Sequence, residues 1–492
     1  MLWGPLNGRG SFYYSRGVGY GVLIPSAKAA VPLELQLLPQ WFKRLGYNTH
    51  MVGKWHLGYK SVEYTPTWRG FDSFFGYYNG HMYYYNHTVP HTDGTCGLDL
   101  WRNVGRATQS VPELRGTYST QAFTDEATRI IADHNPEEPL LLYLCYQAVH
   151  ASCNDNKPEA PVEIVDNYAY ITAYNRSLFA GALHAMDHSV GEVLSALQSR
   201  GMLADSVVVF TSDNGGGPLE DGLVGNAGNN WPLRGSKGDM WEGGMRTPAV
   251  LWYGRMNSCR PRRPLHQVMH IVDWAPTLYT AAGGDVSDLG DIDGKNLWEA
   301  LTTFHDVGHE DMVLEIEGRN QAAAIIAGRF KLINRTDIPC QPHLNIRVPL
   351  PEGEPPRGLD LDDLMQSSQA WKAIQEATVH TDPRFWSFPR PNWRRDATIT
   401  CGAYSEAAAN FDPCESVFVF DIFRDPCELN NLAPSEPELR DALLTKLAVY
   451  RVALSPRPSN DEVDERGNPL NYGCTFSPWE NVEPSPSTAC SC

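Results

Sequence analysis

The sequence predicts an α/β fold, a mixed and mostly parallel sheet sandwiched by helices, followed by a smaller C-terminal antiparallel-sheet subdomain. Three observations carry that reading. Helix and strand periodicities alternate over residues 31–301, the order of a layered open sheet. Residues 139–146 (PLLLYLCY) and 206–211 (SVVVFT) are unbroken apolar runs, the pattern of strands covered on both faces. From about residue 306, short strands follow one another without long helices between them. The expected division is 1–305 for the larger domain and 306–492 for the smaller one.

Taken in order, residues 31–46 read as a helix, with Leu35, Leu38, Phe42 and Leu45 on one face, Lys43 and Arg44 in the last turn and Gly46 at the stop. Residues 49–55 form a short strand. Residues 118–133 form a helix carrying Phe123, Ala127, Ile130 and Ile131. After the strand at 139–146 comes a long helix at 177–200, with Met186, Val190, Val193, Leu194 and Leu197 inward and Gly201 at its stop. Residues 206–211 and 248–253 are two more buried strands. In the second part, 312–317, 322–326, 330–334 and 416–422 are short strands, and 336–400 is an irregular insertion rich in Pro, Arg and Asp. Ser435 and Glu438 are spaced as a capping box opening a helix to about Tyr450, with Leu439, Leu443 and Leu447 on one side.

Composition excludes whole classes of function. The chain has 492 residues and a net charge of −18, so a nucleic-acid partner gains no electrostatic support. No window approaches 18 apolar residues, so no transmembrane helix is expected. Residues 1–9 lack both a basic n-region and an apolar h-region, so the chain shows no signal peptide. Eleven cysteines occur, seven of them from Cys340 onward, and none forms a CxxC. Cys145/Cys153 and Cys414/Cys427 are the disulfide candidates by closeness. Glycosylation sequons stand at Asn86, Asn175 and Asn334, about as many as chance supplies.

In open parallel sheets, ligands bind beyond the carboxyl ends of the strands. Four polar clusters are expected there. Lys54 and His56 follow the strand at 49–55 and would share one side if the strand persists. His150 follows the strand at 139–146, and Asp213-Asn214-Gly215-Gly216-Gly217 follows that at 206–211. Lys237 closes the loop that starts at Asn230. Singly, each has an ordinary explanation: a turn, a solvated edge, a core histidine. Together they suit an anionic ester, with Lys fixing charge, His trading protons, and Asp and Asn oxygens favouring a hard divalent ion.

Gly53-Lys54-Trp55-His56-Leu57-Gly58 resembles the second signature of the sulfatase family, closest to its arylsulfatase B-like (N-acetylgalactosamine-4-sulfatase-like) branch. Matches continue in order through Arg69-Gly70-Phe71-Asp72, Gln147–His150, Met186-Asp187, Ser212–Gly216, Asn230–Lys237, Trp241–Pro248, Asp273–Leu278 and Asp425–Leu432. The resemblance spans residues 31–472. It implies an alkaline-phosphatase-like fold and hydrolysis of sulfate esters, of aryl groups or of N-acetylgalactosamine in glycosaminoglycans. Under it Lys54 holds the sulfate and the nucleophile, and His56 is the base that collapses a covalent sulfate intermediate. His150 and Lys237 hold the sulfate and assist the leaving alcohol, and Asp213 and Asn214 ligate Ca²⁺. It also implies a lysosomal or secreted location.

The same resemblance implies a formylglycine nucleophile, made from a C/S-x-P-S-R segment, and an acidic pair on a first, central strand. This chain shows neither, and no Asp precedes Asp72. The expectation is an N-terminally truncated sulfatase chain, with that strand missing and no activity as written; the alternative is a non-catalytic binder of sulfated glycans. Two lookalikes fail: Leu23-Ile-Pro-Ser-Ala lacks the nucleophile and the Arg, and Cys259-Arg-Pro-Arg-Arg263 lies in a basic loop far along the chain.

Overall fold

The computed structural model describes residues 23–153, 157–217, 227–256, 268–303, 308–316, 323–335, 358–378, 395, 397–401, 412, 414–452 and 462–492. The lookalike at 259–263 and much of the 336–400 segment lie outside them. The strands are β1 (Asn48–Lys54), β2 (Ser73–Tyr77), β3 (Thr88–Pro90), β4 (Cys96–Leu98), β5 (Trp101–Val104), β6 (Ala107–Ser110) and β7 (Leu140–Cys145). They continue as β8 (Val207–Thr211), β9 (Ala249–Tyr253), β10 (Asp311–Ile316), β11 (Ala323–Ala327), β12 (Phe330–Asn334) and β13 (Val417–Asp421). The helices are α1 (Leu38–Arg44), α2 (Ser119–Asp133), α3 (Val162–Val165), α4 (Tyr174–Ser199), α5 (Glu242–Met245), α6 (Trp274–Ala281), α7 (Trp298–Thr303), α8 (Leu361–Ser367), α9 (Gln369–Thr378) and α10 (Pro437–Val452).

The main sheet has the order β6-β5-β2-β1-β7, with β2, β1 and β7 parallel and β5 and β6 antiparallel. The smaller sheet, β10-β11-β12-β13, is wholly antiparallel. The predicted fold class therefore holds. The apolar residues of the main sheet, Met51, Val52, Phe74, Phe75 and Tyr77, share one core with Phe123 and Ile130 of α2, and Phe75 and Tyr77 meet the Phe123 ring directly. Each such side chain stabilises by roughly 1.5–3 kcal/mol on burial. The small sheet covers Leu443 and Leu447 of α10 with one face and Trp241 with the other.

Four local expectations are corrected. The helix at 31–46 is only seven residues long, because Pro39 stands in its first turn and the Gln40 side chain accepts the Leu37 N–H, fixing the start there. β8 and β9 pair antiparallel with each other rather than joining a parallel sheet, since periodicity carries no strand direction. They are also only half-buried, with Phe210 and Val250 exposed. Ser435 does not cap α10: its hydroxyl donates to Leu432 O, and the helix opens at Pro437, which suits a first-turn position. The 336–400 segment is not wholly irregular, as α8 and α9 lie in it and Ala373 and Ala377 pack beside Leu194 of α4.

The cysteine pairing also differs. Cys96 bonds Cys492, Cys401 bonds Cys427, and Cys474 bonds Cys490, while Cys414 is disulfide-bonded and not to Cys427. Cys145 and Cys153 are free thiols. Residues 472–479 do not pack with the small sheet: Tyr472, Phe476 and Trp479 lie in the core of the main one, where Trp479 meets Tyr59 edge to face at 5.4 Å.

Candidate functional site

The site is built at the carboxyl ends of the parallel strands. In β1, Gly53 faces Gly76 of β2 on one side and Cys145 of β7 on the other. Its φ of +102° and the nearness of Cys145 O exclude a side chain there. That close seam delivers Lys54, half-buried, to the sheet rim.

The condition for Lys54 and His56 to share one side of a strand is not met, because the strand does not persist to His56. β1 ends at Lys54, and His56 takes a left-handed φ of +54°, uncommon outside glycine and characteristic of functional positions. It reaches the same rim by another route. The Trp55 and His56 N–H groups donate to Tyr77 O at 2.9 Å and Tyr78 O at 3.1 Å, so the chain beyond β1 turns along the chain beyond β2. His56 Nε2–H donates to Leu23 O at 2.9 Å, which leaves Nδ1 as the bare nitrogen.

His150, after β7, donates through Nδ1–H to Ala151 O at 2.8 Å. Its Nε2 is thereby the acceptor, and Lys237 Nζ lies 3.3 Å from it. Lys237 is held by its backbone N–H to Gly216 O at 3.1 Å. The Asn230 side chain clamps the two loops together, accepting from Gly216 N–H at 2.7 Å and donating to Gly216 O and Gly235 O. The sequence placed Asn230 at the head of this loop without assigning it that task.

Burial holds the Lys54 ammonium below its usual range, Lys237 adds to that effect, and Asp213 opposes it. The histidines are shifted further. Burial first and the Lys54 charge second take His56 down to about 3 and His150 to about 2. Burial and the same two lysines take His81 to about 4. The pocket is therefore a pair of ammonium groups among neutral imidazoles, an arrangement that attracts an anion and offers it N–H donors. Imidazole proton resonances of the free protein are expected to stay those of neutral rings from pH 8 down to 5. An NMR titration showing a midpoint above pH 6 for His56, His81 or His150 would contradict this electrostatic picture.

His81 was missed as a site residue. Its ring centroid lies 5.6 Å from that of His150. The available signal was positional, since it follows β2, whose parallel pairing with β1 sets both carboxyl ends on one rim.

Asp213 and Asn214 follow β8, with Asp213 exposed and the Asn214 amide turned to Gly215 O at 2.8 Å. Their three side-chain oxygens, two from Asp213 and one from Asn214, are far from the six to eight that Ca²⁺ takes. Among the described residues no group of three or more His, Cys, Asp or Glu is placed to hold a metal. The residues present do not fit a Ca²⁺ shell, and the Asp213 charge acts instead on Lys54, where it opposes the effect of burial. Of the sequons, Asn86 is half-buried with its amide oxygen taken by Thr88, and Asn175 is half-buried in the first turn of α4. Asn334 is buried in β12 at 6% exposure, which leaves no room for a glycan.

Ser26, of the first lookalike, is fully buried and its hydroxyl donates to Gly467 O at 2.8 Å.

A family model described as Sulfatase matches residues 9–284. The chain is 31% identical over 488 residues to arylsulfatase J of Mus musculus, covering 96% of this chain and 71% of that protein. It is 31% identical over 336 residues to N-acetylgalactosamine-6-sulfatase of Mus musculus, covering 67% of this chain and 61% of that protein, less than two thirds of its length. The crystal structure of Ps i-CgsB in complex with k-i-k-neocarrahexaose superposes with a TM-score of 0.65 at 19% identity, over 95% of this chain and 87% of that one.

Proposed function

The chain belongs to the sulfatase family, by family a group of sulfuric ester hydrolases, and on that premise we propose that its pocket binds the sulfate group of a sulfated carbohydrate or aryl sulfate ester. The carrying observation is the convergence of Lys54 and Lys237 on one rim with His56 and His150 neutral between them. Sulfate brings no proton at neutral pH, so its site needs fixed positive charge and N–H donors rather than a titrating base.

In this reading the Lys54 and Lys237 ammonium groups carry the sulfate charge. His150 Nε2, which accepts from Lys237, is the atom poised beside the ester oxygen, and a proton relayed there from the ammonium would neutralise a departing alkoxide. His56 Nδ1 is the bare nitrogen able to accept a proton on the same rim. The 492 residues contain no C/S-x-P-S-R segment, and the activity proposed for this sequence is binding of sulfate esters without turnover. Metal use is general in the family, but the donor set formed by Asp213 and Asn214 supports no step through Ca²⁺ here.

N-acetylgalactosamine sulfate of a glycosaminoglycan is the proposed sugar, supported by the names of relatives; which hydroxyl bears the sulfate is left to the assay. A lysosomal or secreted location is supported by the disulfides Cys96–Cys492, Cys401–Cys427 and Cys474–Cys490, bonds that persist in oxidising compartments. No helix among the described residues is long and apolar enough to cross a membrane.

The test is calorimetric. Sulfated N-acetylgalactosamine is expected to bind the purified chain, and Lys54→Ala to weaken it at least about tenfold, the scale of one lost charge-assisted bond. Equal affinity of the two proteins would sink the pocket assignment. Hydrolysis of p-nitrocatechol sulfate by this chain would sink the assignment of binding without turnover.

A further inference from the structure

The chain between β2 and β4 carries three histidines, and two have ordinary structural roles. His87, fully buried, meets Thr117 O through Nε2 at 3.0 Å. His91, also buried, pairs with Asp93 at 3.1 Å. His81 differs from both. Its ring stacks at 30° to that of His150, and among the described residues its two nitrogens form no hydrogen bond. It is half-buried at the pocket rather than packed in the core. Gly80 puts it there: a Cβ at position 80 would lie 2.9 Å from His56 Cε1 and Nε2, so the backbone runs against the His56 ring before His81 turns to His150.

Electrostatics gives its place relative to the charges. Lys54 and Lys237 both act on the His81 ring, and His81 in turn acts on His56 and His150. A group within reach of both ammonium charges is within reach of the anion they bracket. Its free nitrogens include one N–H in either neutral tautomer, a donor left unused by the protein.

We propose that His81 is a further sulfate-contacting residue of this pocket, its imidazole N–H donating to a sulfate oxygen beside His150. This rests on the reading of the pocket as a sulfate-ester site and adds to it a residue that neither strand pattern nor signature supplied. Contact with the sulfate, rather than with the sugar, follows from the two lysines: they mark where the negative charge sits. The N–H is the working part of the side chain, and the stacked ring is its support.

Isothermal titration with sodium sulfate at constant ionic strength, repeated with N-acetylgalactosamine sulfate, tests the proposal. His81→Ala is expected to weaken both ligands by about five- to tenfold, the scale of one lost hydrogen bond to a charged group. His81→Asn, which keeps an N–H donor and loses the ring, is expected to stay within about threefold of wild type. His81→Phe, which keeps the ring over His150 and loses the donor, is expected to match the alanine variant. Recovery by Phe and not by Asn would overturn the proposal in favour of a packing role. Unchanged affinity in His81→Ala would also overturn it, and an effect on the sugar ester alone would move the contact to the carbohydrate and overturn it too. Wild-type protein that binds neither ligand removes the sulfate-site reading itself, and this proposal with it. Thermal unfolding of each variant guards the comparison, and the Phe and Asn variants keep the test open should His81→Ala not fold.

Discussion

Lys331→Ala is expected to destabilise the protein by roughly 3–5 kcal/mol, the range found when one partner of a buried ion pair is removed. Lys331 lies in β12, wholly buried, with its Nζ 2.9 Å from Glu242 and 2.9 Å from Glu428. The Glu242 N–H donates to Glu428 Oε2 at 2.7 Å, which closes the cluster. Without the ammonium, two carboxylates face each other out of water. The loss grows with pH. Burial already holds the Glu428 carboxyl above its usual range in the folded protein. A carboxyl raised in this way favours folding most when protonated, so stability falls as pH rises through its folded value. Lys331 is the charge that opposes the upward shift of Glu428, so removing it raises that carboxyl further, and the difference from wild type is expected to be larger at pH 7.5 than at pH 5. Chemical denaturation at both values checks it, and equal losses would refute the carboxylate explanation. Lys331→Met with Glu428→Gln is expected to recover a good part of the loss, because it removes the charge conflict while keeping volume.

The same cluster bears on the pocket. Glu242 opens α5, the Gly243 N–H donates to Arg234 O at 2.6 Å, and the Gly215 N–H donates to Gly244 O at 3.0 Å. Through that turn the small sheet steadies both loops that present Asp213 and Lys237. Lys331→Ala is therefore expected to weaken sulfate binding as well as the fold.

Gly53→Ala should be at least as costly. The added methyl would lie 1.9 Å from Cys145 O, a backbone atom of the neighbouring strand that cannot swing aside. Strain from the positive φ adds to it. A loss above about 3 kcal/mol, or failure to fold, is expected by unfolding titration, an effect reserved for a few mechanisms including this one. Gly46→Ala is the control. It shares a positive φ, +82°, but has nothing within 4 Å, so only about 1 kcal/mol of strain is expected. Equal costs at the two positions would show that backbone conformation, not the seam between strands, governs Gly53.

What the sequence discloses of this molecule follows from what periodicity encodes. The helices α2 and α4 and the strands β1, β7 and β12 are readable because apolar spacing fixes element type and length. Strand direction is not in that signal, so β9 was placed in a parallel sheet when it returns along β8. Lys54, His56, His150 and Lys237 were legible through the strand-end rule and the family signature. His56 reached its place by a left-handed turn rather than a continued strand, a local conformation that residue spacing does not reveal. His81 was hidden because β2, five residues long and bracketed by irregular chain, was not recognised as a strand, and its carboxyl end was not counted. The cysteine partners were misjudged by sequence closeness, which is a poor guide when Cys96 and Cys492 meet 396 residues apart.

That long-range closure has a consequence for the order in which the protein is made. The Cys474 N–H donates to Pro469 O, the Leu98 N–H to Cys474 O, and the Phe476 N–H to Leu98 O, so residues 469–476 are threaded beside β4. Phe476, Tyr472 and Trp479 complete the core that β1 and β2 begin. During synthesis the ribosome releases β1 and β2 some four hundred residues before their last packing partners appear. The core beneath the pocket rim is thus completed only after translation has passed the small sheet, and a nascent chain halted earlier lacks the residues that cover it.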